Sequence, residues 1–107
     1  MIPLNKVKDL ISKHSILEKE LSSGELDKNK FVKKSKEYSN LNEIIKEAKE
    51  YDFFKSEKKD LEKIINDESA EKDMKELAEL ELNELINKNI VNEKKIKLFL
   101  LPKDEAD

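Results

Sequence analysis

Apolar side chains recur every three or four residues through the first part of the chain, which is the spacing of one face of an α-helix. They are Val7, Leu10, Leu17 and Leu21. Pro3 suits the first helical position, where the N–H that proline lacks would have no partner. Gly24, the only glycine of the chain, suits the left-handed residue that ends many helices. The pattern predicts a helix over residues 3–22.

No glycine or proline interrupts the next segment, and Asp27 suits the N-cap position before it. Its apolar residues keep a seven-residue repeat, and the repeat then shifts by one position. Such a shift locally overwinds a coiled coil or lets the apolar stripe pack against a different helix. The repeat runs through Phe31, Tyr38, Leu41, Ile45 and Ala48, and after the slip through Tyr51, Phe54, Leu61 and Ile65. We predict one helix over residues 28–65, although the pattern leaves its continuity at the slip open.

A third helix is predicted over residues 70–97. The preceding residues, Asn66 to Ser69, combine turn chemistry with an N-cap. Its apolar face is wide, covering about half of the helical circumference. The face comprises Met74, Leu77, Ala78, Leu82, Leu85 and Ile86. Leu101 and Pro102 end the helix, because a residue before proline is pushed out of the helical region.

Short connections make consecutive helices antiparallel neighbours. The predicted fold is therefore all-α, an elongated antiparallel three-helix bundle or helical hairpin with coiled-coil-like packing. The first helix is long enough to cover only residues 28–48. The hairpin of about residues 51–82 would project from this base, with its tip near residues 66–69. We assign residues 1–101 to one helical domain and residues 102–107 to the start of a linker.

The composition excludes most catalytic chemistry. Charged residues make up 44% of the chain, and it contains no cysteine and one histidine. Neither a Cys–His pair nor a multi-histidine metal site is available. His14 lies on the first seam between Leu10 and Leu17, where a partly buried packing role is expected. We predict no catalytic residue, no cofactor and no metal, and therefore a protein that is not an enzyme.

Charge is distributed unevenly along the predicted helices. A run of lysines without an intervening acid comprises Lys28, Lys30, Lys33, Lys34 and Lys36. The antiparallel arrangement is expected to place this run near a second group, Lys88, Lys94, Lys95 and Lys97. Residues 67–84 carry eight acidic residues against two lysines, so the predicted tip is acidic. In one interpretation, the lysine-rich end of the bundle binds RNA or an acidic partner, and the acidic tip binds a basic protein. In the other, both are solvated helix faces whose charges balance each other across the hairpin.

Two further features concern partners and location. Phe53 and Phe54 are adjacent, so one helical stripe does not easily bury both. We expect one of them to be exposed for a partner unless a second packed helix covers it. The longest apolar run, Leu98 to Leu101, is far shorter than the roughly 20 residues that span a bilayer. No signal peptide is visible, and we expect a soluble cytoplasmic protein.

The last residues carry the most specific signal. They read Leu100-Leu101-Pro102-Lys103-Asp104, with Asp107 closing the element. This element resembles the junction after the N-terminal helical domain of bacterial class I peptide chain release factors of the type that reads UAA and UAG. Two weaker similarities precede it in the expected order, at residues 36–41 and 74–79. Glu105 departs from the proline common in that family, which puts the stiffness of the linker in doubt.

The resemblance implies translation termination. In that family a Gly-Gly-Gln loop promotes hydrolysis of peptidyl-tRNA and another domain reads the stop codon, and both are expected beyond Asp107. A single glycine makes Gly-Gly-Gln impossible within these 107 residues. The resemblance also implies that the first domain extends toward the stalk base of the large ribosomal subunit, associates with the recycling GTPase, and is a monomer.

Two other functions fit the same residues. One is a free-standing structural coiled coil that self-associates, which the seven-residue repeats favour. The other is a helical RNA-binding module that uses the lysine run of residues 28–36. Sedimentation separates the first from a monomeric domain, and the salt dependence of RNA affinity tests the second.

Overall fold

The computed structural model describes residues 1–102, and these residues form four α-helices and no strand. The helices are α1 (Leu4–Ser23), α2 (Lys28–Asn42), α3 (Ile45–Ile65) and α4 (Lys72–Leu100). The all-α prediction is confirmed. The number of helices differs from the prediction, because the segment expected to form one helix over residues 28–65 forms two.

Local side-chain chemistry sets several helix ends. Gly24 ends α1 with φ 73° in the left-handed region, and the Asp27 carboxylate accepts a hydrogen bond from the Lys30 N–H at 2.8 Å to cap α2. Leu101, before Pro102, leaves the helical region with ψ 144°. These three predictions are confirmed. Pro3 differs slightly from expectation, because with ψ 129° it precedes the first helical residue and is not itself helical.

The break between α2 and α3 lies at Glu43 and Ile44. Their amides donate to the carbonyls of Asn40 and Leu41, three residues back, at 3.2 and 3.0 Å. Ile44, in the N-cap position of α3, then departs from helical geometry with φ −124°, and its side chain makes no capping hydrogen bond. The chain changes direction here without glycine or proline. The predicted continuous helix is therefore wrong at this point, and the observed break precedes the slip in the apolar repeat.

The turn before α4 also differs from the prediction. Ser69 was expected at or near an N-cap, but α4 begins at Lys72, and Glu71 in the capping position makes no side-chain bond. Instead the Ser69 N–H and hydroxyl both donate to Asp67 Oδ1, at 3.0 and 2.7 Å. The hydroxyl bond, followed by the amide bond, lowers the pKa of the Asp67 carboxyl. The acid stabilises the turn itself rather than the helix after it.

One hydrophobic core joins α1, α3 and α4. Its buried members are Ile2, Val7, Ile44, Ala48, Tyr51 and Ile96, with Leu10, Ile11 and Phe99 packed against them. α1 also packs along α2, where Leu17 and Leu41 are buried. α3 and α4 run antiparallel beyond this core, and between residues 52 and 91 Ala78 alone is buried. The molecule is consequently elongated, measuring 60 × 35 × 19 Å, with a bundled base and a thin hairpin.

Candidate interaction surface

Two lysines of α4 approach carboxylates of α3 within the hairpin. Lys88 Nζ lies 2.5 Å from Glu50 of α3, and Lys95 Nζ lies 3.8 Å from Glu47. The hydrogen bond from Lys88 is the main reason that the pKa of Glu50 is lowered, and the same bond raises the pKa of Lys88. The expected grouping of these lysines with the run on α2 is wrong, since α2 packs against α1 whereas these side chains lie along α3.

A second ion-pair group closes the base. Glu93 Oε1 lies 3.0 Å from the N-terminal ammonium and 3.1 Å from Lys97 Nζ. The ammonium and then the lysine lower the pKa of Glu93, and Glu93 raises the pKa of Lys97. The ion pair with the ammonium connects the start of the chain to α4, one turn from the buried Ile96. These charges therefore contribute to the packing of the base, although Lys97 remains about half-exposed.

His14 is a packed residue, as the sequence predicted. Its side chain is 7% exposed, its Nε2 lies 2.6 Å from Asn42 Oδ1, and its ring stacks on Tyr38 with the centroids 4.6 Å apart. No group of three or more potential metal ligands occurs among residues 1–102. The histidine therefore links α1 to the end of α2.

The lysine run lies on α2, where it is mostly exposed to solvent. Lys34 is the exception, because its Nζ is 2.5 Å from Glu20 of α1 and its side chain is only 28% exposed. Lys28, Lys33 and Lys36 surround Val32, itself about half-exposed, on the side of α2 away from α1. The exposed lysines are Lys28, Lys30, Lys33 and Lys36. They form a short basic strip that is separate from the hairpin.

The two adjacent phenylalanines point in different directions. Phe53 is 59% exposed and, with Ile11 and Lys49, lines a shallow groove between α1 and α3. Phe54 is partly buried between α3 and α4, beside Leu85, in a cavity of about 70 Å³. The expected exposed ring is therefore Phe53, and its use by a partner stays a prediction.

The first half of α4 presents an exposed surface that the sequence analysis missed. Leu77 was placed on the buried face, but it is 52% exposed, and Leu80, which lay off that face, is 62% exposed. Only Ala78 of this turn is buried against α3. The surrounding residues are acidic. The exposure of Leu80 was the part that the sequence could indicate, because this leucine lies off the predicted apolar face.

The predicted junction lies at the base. Leu100, Leu101 and Pro102 are exposed, and the two leucines border a groove beside Ile2 and Lys6. Lys103 and Asp104, the other two residues of the predicted junction, lie outside the described residues. No helix within residues 1–102 is long and apolar enough to cross a membrane.

Comparison with known proteins adds a family assignment. The PCRF domain matches residues 10–107. The chain is 63% identical over all 107 of its residues to peptide chain release factor 1 of Pelagibacter ubique (strain HTCC1062). It spans 30% of the length of that relative. No solved structure matches the chain.

Proposed function

Since the chain belongs to the PCRF domain family, as the N-terminal domain of a class I peptide chain release factor, we propose that it is the ribosome-binding arm of a factor that terminates translation in the cytoplasm. The observation that carries this proposal is the 63% identity to a release factor 1 along the whole chain. Identity of that extent supports a shared role as well as a shared fold.

The complete factor, in this proposal, recognises UAA and UAG and promotes hydrolysis of peptidyl-tRNA. Neither activity is assigned to a residue of this chain, because one glycine cannot supply a Gly-Gly-Gln loop. The domain contributes reach and contact surfaces, since its long dimension is 60 Å. Its proposed partners are the stalk base of the large ribosomal subunit, the recycling GTPase and the rest of its own polypeptide.

The test is a peptidyl-tRNA hydrolysis assay on ribosomes programmed with UAA, UAG or UGA. The full-length gene product should release the peptide at UAA and UAG but not at UGA, and the 107-residue chain alone should release none. An inactive full-length product would overturn the proposal. Release at UGA but not at UAG would leave termination standing and overturn the codon assignment.

The domain is proposed to be a monomer. Many of the residues of its seven-residue repeats pack within the chain, because α3 and α4 pair with each other and α1 covers their base. A free-standing coiled coil would need those residues for a second chain. Sedimentation equilibrium should therefore give a mass of about one chain, and a stable dimer would favour the coiled-coil alternative.

RNA contact through α2 is the second candidate function. The observation in its favour is the exposed strip of Lys28, Lys33 and Lys36 around Val32. A strip of this kind would make affinity for RNA fall as salt rises, by nearly one logarithmic unit per phosphate contact and decade of salt. Replacing the three lysines by glutamine should reduce both affinity and salt slope, whereas no binding at low salt would end this candidate.

A further inference from the structure

A group of polar side chains interrupts the apolar contacts between α3 and α4, just beyond the core. Asn92 is 4% exposed, and its amide donates a hydrogen bond to Glu50 Oε1 at 3.5 Å. The other oxygen of Glu50 lies 2.5 Å from Lys88 Nζ. Next to Lys88, Asn89 Oδ1 is buried and accepts no hydrogen bond from another group within residues 1–102. We call Glu50, Lys88, Asn89 and Asn92 the polar layer.

The polar layer contributes little to stability. The side chains of Glu50 and Lys88 are 28% and 55% exposed, and ion pairs that reach solvent in this way contribute little to the free energy of folding. The buried oxygen of Asn89 opposes folding when it has no donor. A cavity of about 70 Å³ adjoins it, which is room for a water molecule that donates to it. Apolar side chains of similar volume would pack here at no loss of stability.

The apolar residues of the hairpin leave its register open. Leucine or isoleucine recurs along α4 at a spacing of four, at Leu82 and Ile86 and again at Ile96 and Leu100. A displacement of α4 by four residues toward the hairpin tip puts Leu100 in the place of the buried Ile96. The opposite displacement puts Asn92 there, at the expense of burying an amide in the core. Burial of apolar groups in the core thus opposes one displacement and accepts the other.

The polar layer opposes the displacement that the core accepts. That displacement takes Lys88 away from Glu50 and puts Asn92 in its place. It also moves Glu93 into the position of Asn89, beside the cavity that Glu50 lines. Two carboxylates would then be neighbours where a carboxylate and an ammonium are neighbours now, and such a juxtaposition of like charges is unfavourable.

We propose that the polar layer determines the register of α4 against α3, and with it how far the hairpin extends from the base. A polar residue in the apolar seam of a coiled coil has this effect, at a cost in stability. The apolar repeat shifts between Ala48 and Tyr51, so the repeat alone does not define one register here. The inference concerns the chain by itself and is independent of ribosome binding.

Two spin labels measure the register directly. The chain has no cysteine, so Lys49→Cys on α3 and Glu79→Cys on α4, both at exposed positions, accept one label each. A displacement of four residues moves the label on α4 by about 6 Å, toward the tip and away from the label on α3. Double electron–electron resonance measures the distance between the labels. Dilution with unlabelled chain restricts the measurement to labels within one molecule.

The variants are matched in the residue types that they replace. The layer variant is Glu50→Leu with Lys88→Leu and Asn92→Leu. Its control replaces an acid, a lysine and an asparagine at exposed positions of the same helices, Asp60→Leu with Lys94→Leu and Asn87→Leu. Lys88→Arg retains the charge of the layer. Circular dichroism measures the helicity of every variant, and urea unfolding measures its stability.

The layer variant should be at least as stable as the parent chain and should show a second distance, about 5 Å longer. The parent, the control and Lys88→Arg should each show one distance. A single parent-like distance in the layer variant would overturn the proposal. A second distance in the control would do so too, because added leucines would then be sufficient. Loss of helicity or stability in the layer variant would show that the layer is needed for folding, and would also overturn the proposal.

Discussion

His14 Nε2 lies 2.6 Å from Asn42 Oδ1, and this contact joins α1 to the last residue of α2, immediately before the chain breaks. An amide oxygen only accepts hydrogen bonds, so the imidazole nitrogen donates and Nε2 carries the proton. Tyr38 stacks on the same ring. The histidine is therefore part of the structure that fixes how α2 leaves α1.

Replacing His14 by alanine should lower the free energy of unfolding by about 2 kcal/mol, because packing and a hydrogen bond are lost together. Asn42→Ala removes the acceptor alone and should cost about 1 kcal/mol. Urea titration followed by circular dichroism measures both. Ser12→Ala, at an exposed position of α1, is the control and should change little. A cost for His14→Ala no larger than that of Ser12→Ala would contradict the structural role.

Ile96 and Leu98 provide a matched pair on α4. Ile96 is 0% exposed in the core, whereas Leu98 is 61% exposed two residues later. Ile96→Ala should lower the free energy of unfolding by about 3 kcal/mol, since a large aliphatic side chain leaves a cavity. Leu98→Ala should change it by less than about 0.5 kcal/mol. Similar costs at both positions, measured by urea unfolding, would show that α4 is rotated from the position described.

Glu50 makes stability depend on pH. Its pKa in the folded protein is lowered, chiefly by the hydrogen bond from Lys88, so its stabilising contribution is complete above the unfolded pKa and is lost as pH falls through the folded pKa. Glu50→Gln should therefore be less stable than the parent at about pH 6, with a difference that shrinks toward about pH 3. Urea unfolding across this range measures the difference. A difference that stays constant with pH would contradict the ion pair.

Gly24 ends α1 with φ 73°, a conformation that costs other residues energy. No atom lies within 4 Å of the position that a Cβ would occupy, so the cost of a substitution is that of the backbone alone. Gly24→Ala should lower the free energy of unfolding by about 1 kcal/mol. Gly24→Asn should cost less, because asparagine tolerates this conformation better. Thermal unfolding of the two variants in parallel checks the order, and equal melting temperatures would contradict it.

Helix ends that depend on one residue were predictable. Gly24, Asp27 and Pro102 act through their own backbone or side-chain chemistry, which a sequence displays. The break at Glu43 and Ile44 was not predictable in the same way, because neither residue is a helix breaker. Leu41 before the break and Ile44 within it are both buried, and the burial of Ile44 depends on α1 and α4, which are distant in sequence.

The candidate surfaces were also predictable in one respect, their charge, and not in another, their exposure. The charges of the acidic tip and of the lysine run were evident, since composition along a helix does not depend on packing. Which lysines are free was not evident: Lys88 and Lys95 approach α3, while Lys28 and Lys36 face solvent. The exposure of Leu77 was likewise hidden, because a wide apolar face predicts more neighbours than the hairpin supplies.

The separation of the core from the hairpin tip has a mechanical consequence. The 21 residues of α3 extend for about 31 Å, and their buried contacts are concentrated at the end that packs on α1. A rotation of about 10° at that end displaces the other end by roughly 5 Å. The packing of the small core around Ala48 and Ile96 therefore sets the direction of the whole hairpin, and a change of a few methyl groups there displaces its far end.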